Sequence, residues 1–276
     1  MIPSTSLFSS PSGRPRVAVI TGAGTGIGAA VAERLARRGF RVVLGGRNPA
    51  PLADVVARIR AAGGDAVAVP GDVTVAADVA RLVAAAGPVL DVLVHSAGQG
   101  HCLTLDELDE TEWRQTLDVA VTGAFLTAKA AMPLLQATKE GSGHVVQIGS
   151  LASGGTWHRE IGYGTAKGAQ VKFALHLAAQ MKEDAAAGGR TIHVHAVCPG
   201  TVDTPFWERV PQRKIEPELC LRADEVAWLV ERVLEAPLAT AEDLALERPR
   251  PEIVVKRLAP YERWPSVIAI AHESHP

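Results

Sequence analysis

Tyr163 and Lys167 stand four residues apart in a stretch whose apolar spacing predicts a helix over about 163–187. On a helix that spacing puts both side chains on one face, where they can meet a single ligand. A free tyrosine ionises near pH ~10, too high for acid–base work at neutral pH, and an ammonium beside it favours the phenolate. A second stretch, Thr21-Gly22-Ala23-Gly24-Thr25-Gly26-Ile27-Gly28, has the composition of a turn that brings backbone close to a ligand. The helix that follows offers unpaired N–H groups and a positive dipole end, which suits a pyrophosphate. The glycines are spaced 22, 26 and 28, so the common GxGxxG pattern fails at Ile27, and an ordinary tight strand-to-helix connection would have the same composition.

The elements that must position these groups alternate. Val17-Ala18-Val19-Ile20 is an apolar run before the glycines, and the pattern over 29–38 after them is helical. Further short apolar runs lie at 41–44, 66–69, 92–94, 144–148 and 192–197, with helical segments near 50–62, 76–86, 110–135 and 163–187 between them. A helix over 223–234 precedes a last run at 252–255, giving seven strands. Within 110–135, Pro133 removes a backbone donor and predicts a kink or an ending. Such alternation calls for a doubly wound α/β fold with a parallel sheet and right-handed crossovers. Ligands bind such sheets beyond the carboxyl ends of the strands. Asp72-Val73, His95-Ser96-Ala97-Gly98, Ser150 and Pro199-Gly200-Thr201 each follow a predicted strand.

Composition narrows the function classes. With 276 residues, 47% hydrophobic and 21% charged, the chain can bury a core with helices on both faces of a sheet. A net charge of -2 and the lack of a basic run give no attraction for nucleic acid or an anionic membrane, so neither is expected as a partner. Cys102, Cys198 and Cys220 are odd in number and widely spaced, which fits neither a disulfide framework nor a zinc site, and points to the cytoplasm. Residues 1–15, rich in Ser, Pro and Gly, read as a flexible leader, and 16–276 as one domain. No repeat, coiled coil or membrane-length apolar segment is evident.

Taken together, the glycine turn, Asp72-Val73, Ala97-Gly98, Ser150, Tyr163-xxx-Lys167 and Pro199-Gly200, in that order, resemble the short-chain dehydrogenase/reductase family over about 16–255. The resemblance implies a Rossmann fold with a seven-stranded parallel sheet and a nicotinamide dinucleotide cofactor. It implies Tyr163 as proton donor in carbonyl reduction, Ser150 as the hydroxyl that orients the substrate oxygen, and Lys167 as the charge that tunes Tyr163 and holds the nicotinamide ribose. It assigns cofactor contacts to Gly22, Gly24, Thr25, Gly26, Ile27 and Gly28, to Ser96, Ala97 and Gly98, and to Pro199, Gly200 and Val202. Asp72 resembles the family's acid at the adenine amino group and Val73 the residue packed on the ring, although an Asp there also serves as a turn residue. NAD-preferring members carry an acid at the end of the second strand, where Gly46 stands, and Arg47 follows. Arginine pairs bidentately with phosphate, so NADP is expected over NAD, the alternative being a solvated loop arginine. A small-molecule substrate and a homodimer or homotetramer, paired through the two long helices, complete the implied picture.

Two positions depart from the family. Its Asn-Asn-Ala-Gly reads His95-Ser96-Ala97-Gly98 here. His95 is either a base or, more commonly for a strand end, a structural group. The family's Val-Asn-x-x-Gly-x-Phe, whose Asn holds a water that passes protons to the lysine, reads Val119-Ala120-Val121-Thr122-Gly123-Ala124-Phe125, so Ala120 stands at the Asn position. Trp157, His158 and Arg159, with Phe206-Trp207, lie where the family builds its substrate pocket and lid, and suggest an apolar or ring-bearing substrate. The expected activity is hydride transfer between NADP(H) and a carbonyl or secondary alcohol. An epimerase- or dehydratase-like enzyme and a cofactor-sensing protein with little turnover are the alternatives, the last sustained by Ala120.

Overall fold

β1 (Val17–Thr21) is apolar at all but its last position, as a strand covered on both faces requires. In a computed structural model that describes residues 13–137, 140–210, 213–236, 253–257 and 267–272, it is the third strand of an eight-stranded sheet. Its neighbours are β2 (Arg41–Gly46) and β4 (Val92–His95), both parallel to it. β3 (Asp65–Pro70) lies outside β2, and β5 (Gly143–Ile148) and β6 (Ile192–Pro199) continue beyond β4. The short β7 (Val202–Asp203) and β8 (Leu221–Arg222) pair with each other apart from the main sheet. β9 (Ile253–Arg257) and β10 (Val267–His272) complete the order β3-β2-β1-β4-β5-β6-β10-β9.

Seven strands are parallel, as expected for the family, but the seventh is not the one anticipated. β9, which covers the run expected at 252–255 from position 253 onward, runs antiparallel to β10 at the sheet edge. The parallel place beside β6 belongs to β10. Both segments contain a short apolar run, 253–255 followed by Lys256 and Arg257, and 267–271 without a charge. Pairing separates them, because Val267 to Ala271 are at most 1% exposed while aligned with β6. The leader expected over 1–15 lies outside the described residues up to position 12. From there Arg14 is held, with a two-pronged bond to Asp91 at 2.7 and 2.9 Å.

Helices cover both faces. α1 (Gly26–Arg37), α2 (Pro49–Ala61) and α7 (Ala223–Glu235) pack on one, meeting Ala18 and Ile20 of β1. α3 (Ala76–Ala84), α5 (Gly123–Gln136) and α6 (Ile161–Ala186) pack on the other, meeting Val17 and Val19. α4 (Glu110–Leu117) runs into α5 through a π-helical turn, Asp118–Thr122. The break in this long segment is thus at the π turn, and α5 continues past Pro133 to Gln136. By length and composition 110–136 could cross a membrane, contrary to expectation, but here it is a partly buried core helix on the sheet.

At the amino ends of the strands a buried ionic knot ties the sheet. The Arg190 guanidinium, 1% exposed, donates to the carbonyls of Leu90 and Leu135 and to Asp91 Oδ1 at 3.1 Å. Asp91 also accepts from the Val17 amide at 2.9 Å. Asp91→Ala leaves Arg190 buried without its anion, so unfolding in urea is expected to lose about 3 kcal/mol of stability.

Candidate active site

The order of strands reverses between β1 and β4, and their carboxyl ends open into a cleft of about 300 Å3. Thr21, the last residue of β1, closes its floor. Its Oγ1 accepts the Ser96 and Ala97 amides at 3.1 and 3.0 Å, which draws the segment after β4 against the glycine turn. Gly22 has φ +63°, and a Cβ there would come 2.8 Å from the Ala97 nitrogen. At Gly28 a Cβ would overlap the Gly22 carbonyl oxygen. Side chains at either position would fill the space where turn, strand end and first helical turn converge.

All the residues singled out in the sequence for cofactor contact line this one cleft. The glycine turn from Gly22 to Gly28 forms its centre, Arg47, Asp72 and Val73 one end, and 96–98 with Pro199, Gly200 and Val202 the other. Asp72 Oδ1 accepts the Thr74 amide and hydroxyl at 2.9 and 2.8 Å, so it is a turn residue as well as a lining one. Arg47 is exposed at the cleft edge just beyond Gly46.

Ser150, Tyr163 and Lys167 come together at the other end. Ser150 caps a short turn, accepting the Ala152 amide at 3.1 Å, and hydrogen-bonds the Tyr163 hydroxyl. Burial pushes the Tyr163 pKa up to about 12, with the Ser150 bond opposing. Lys167, whose ammonium the spacing sets beside the tyrosine, does not offset that burial here. Its Nζ, 5.9 Å from the Tyr163 ring, donates instead to the Ile148 carbonyl at 2.8 Å and to Gln170 Oε1 at 2.9 Å. Burial lowers Lys167 itself to about 8.

His95 is a structural group. Its Nδ1 lies between the hydroxyls of Thr21 and Thr127, at 3.3 and 3.2 Å. Nε2 lies beside the Val119 carbonyl of the π turn without closing a full hydrogen bond. Burial, helped by the nearby Lys167 charge, pushes the His95 pKa down to about 3. Ala120, 1% exposed, sits in the same π turn and brings no polar group to it.

Over the Tyr163 end lies an aromatic cover. The Phe206 ring is 5.9 Å from that of Tyr163, and both approach Gly100, where a Cβ would come within 2.8 Å of each ring. Trp207 packs edge-on against Phe206 and donates to the Val202 carbonyl at 2.8 Å. Arg213 lies over Trp207 and pairs with Glu160 at 2.8 Å, joining the cover to the start of α6. Trp157 is half-exposed nearby in sequence but does not line the cleft. Reading the sequence missed Gln170 and the Glu160–Arg213 pair. Position 170, three after Lys167, shares its helical face, and that spacing was the available signal.

Residues 16–215 match the family model described as short chain dehydrogenase. The chain is 37% identical over 202 residues to 2,5-dichloro-2,5-cyclohexadiene-1,4-diol dehydrogenase LinX of Sphingobium indicum, covering 71% of this chain and 76% of that protein. It is similar in structure to an alcohol dehydrogenase from Thermococcus sibiricus complexed with 5-hydroxy-NADP, with TM-score 0.72, 28% identity, and 81% and 92% of the two chains covered. It is also similar to a short chain dehydrogenase/reductase from Burkholderia phymatum in complex with NAD, with TM-score 0.73, 25% identity, and 87% and 96% covered.

A histidine kept neutral by burial stabilises the fold only while the unfolded chain is neutral too. Its folded pKa is below the unfolded value of about 6.5, so stability is present above that pH and is lost as pH falls toward 3. Between pH 7.5 and pH 5, His95 alone is expected to account for about 2 kcal/mol of lost stability. Urea unfolding of the wild type and of His95→Gln at both pH values checks this, the variant showing the smaller loss.

Proposed function

Because the chain belongs to the short-chain dehydrogenase/reductase family and is an NAD(P)-dependent oxidoreductase, we propose that it transfers hydride between NADP(H) and a carbonyl or secondary-alcohol carbon of a small apolar or ring-bearing molecule. The observation that carries this reading is the convergence, in one cleft, of a glycine cradle that side chains would fill and a Ser150–Tyr163–Lys167 group at its far end. The cradle fits a dinucleotide pyrophosphate laid across the start of α1. The bound nicotinamide supplies or accepts the hydride.

In reduction, Ser150 orients the substrate oxygen and Tyr163 gives that oxygen its hydroxyl proton as the carbon gains hydride. Pushed up to about 12, Tyr163 holds its proton at neutral pH and is therefore protonated before the donor step, though as a weak acid. Lys167 holds the ribose and supplies positive charge beside the phenolate left after proton transfer. The Phe206 and Trp207 rings provide an apolar cover for a ring-bearing substrate. LinX, whose name specifies a cyclic diol, fits that class. Gly46 at the end of β2 brings no carboxylate to the adenine ribose, and the exposed Arg47 beside it can pair with a 2′-phosphate. Phe125 and Ile161, both exposed large apolar residues, lie on α5 and α6 and favour a homodimer or homotetramer paired through these helices. Ala120 favours a second reading, a cofactor-sensing protein with little turnover. NADPH oxidation in the presence of a panel of cyclic ketones separates the two.

Tyr163→Phe is expected to keep cofactor affinity while turnover falls about 100-fold or more. Near-normal turnover excludes Tyr163 as the donor. Arg47→Ala is expected to narrow the preference for NADPH over NADH by about 1–3 kcal/mol, measured as the ratio of dissociation constants.

A further inference from the structure

We propose that Gln170 is a positioning residue for Lys167: with Gln147 behind it, it holds the ammonium at the cleft where no amide is supplied from position 120. The proposal rests on the reading of Lys167 as the group that serves Tyr163 and the cofactor ribose. The Lys167 ammonium has three protons and no acceptor. One goes to the Ile148 carbonyl at 2.8 Å and one to Gln170 Oε1 at 2.9 Å, leaving the third for the cleft beside Gly98. Because an ammonium only donates, Gln170 must present its oxygen. Its Nε2 then faces away and donates to Gln147 Oε1 at 3.0 Å. Both glutamines are fully buried, and Gln147 Nε2 has no hydrogen-bond partner among the described residues. An orphan donor at the far end is the polarity that the ammonium imposes on the pair, at the expense of Gln147's own bonding.

No counter-ion faces Lys167 among the described residues. β5 presents the Ile148 carbonyl, β6 the Cys198 thiol, β4 the imidazole of His95, and α6 the phenol of Tyr163 together with Gln170. Burial pushes Cys198 up to about 12 and Tyr163 up to about 12, and His95 down to about 3, so all three are neutral at pH 7. A buried ammonium without an anion depends on its neutral acceptors to stay charged. Gln170 is one of two. Removing it disfavours the charged form and frees the side chain to leave its place.

The test follows the titration of Lys167 in the full chain by NMR of 13Cε-labelled lysine, its signal assigned by its loss in Lys167→Met. The wild-type midpoint is expected near 8. Gln170→Leu should lower it by about one pH unit, roughly tenfold less ammonium at a given alkaline pH, in line with a hydrogen bond to a charged group. Gln170→Glu, which supplies an anion in the same place, should raise it. The alkaline limb of kcat/KM for the cofactor, which reports the free enzyme, should move in the same directions. Gln147→Leu combined with Gln170→Leu removes both polar groups and should regain melting temperature lost by the single variants while the midpoint stays low. A midpoint that is unmoved in Gln170→Leu, or that returns to the wild-type value in the double variant, overturns the proposal and leaves the pair a packing feature. If no ketone is reduced yet the midpoint moves, the proposed carbonyl-reduction reading fails and the positioning role stands. If turnover is normal and the midpoint does not move, the positioning role fails alone.

Discussion

Thr21 Oγ1 gathers two backbone amides and one imidazole nitrogen at the point where β1 and β4 diverge, and the cleft depends on that gathering. Two parallel strands that feed helices on opposite faces must separate beyond their carboxyl ends, and water would enter unless the first residues past the strands were tied together. The Thr21 hydroxyl makes the tie, which lets Ala97 press against Gly22 so closely that no side chain fits between them. From the same contact follow the direction of the glycine turn, the start of α1 and the placement of His95 against the π turn.

Below that contact, the site is a place where charge is buried without its opposite. Lys167 is 4% exposed and is surrounded by a carbonyl, an amide, a thiol, a phenol and an imidazole. A lone buried charge is costly, and chains usually respond by pairing it or by letting it lose its proton. Here both responses are partial: hydrogen bonds hold the ammonium, and burial brings its pKa down to about 8. The contrast with the amino ends of the strands is instructive. There Arg190 is equally buried but is paired with Asp91.

His95 and Ala120 are the two departures from the family pattern, and they meet in space. The imidazole lies against the Val119 carbonyl of the turn that contains Ala120, and is held from the other side by Thr21. A histidine so enclosed cannot exchange protons near neutral pH, so its contribution is to fasten the central sheet to α5 through Thr127, whose Oγ1 lies 3.2 Å from Nδ1.

The alternation of apolar runs with helical periods, the glycine turn and the Tyr163–Lys167 spacing were legible in the sequence because each is local: period, backbone freedom and helical face are properties of neighbouring residues. They determined a doubly wound sheet and the edge of it at which a site must form. The seventh parallel strand was not legible, because 253–257 and 267–272 each carry a short apolar run and pairing with β6 is what separates them. Nor was the state of Tyr163. Spacing placed an ammonium within reach of it, whereas the tertiary structure turned that ammonium toward Ile148 and Gln170 and left burial to decide the tyrosine's pKa. Protonation depends on which groups from distant parts of the chain share one low-dielectric space, and that is a property of packing which residue order alone does not specify.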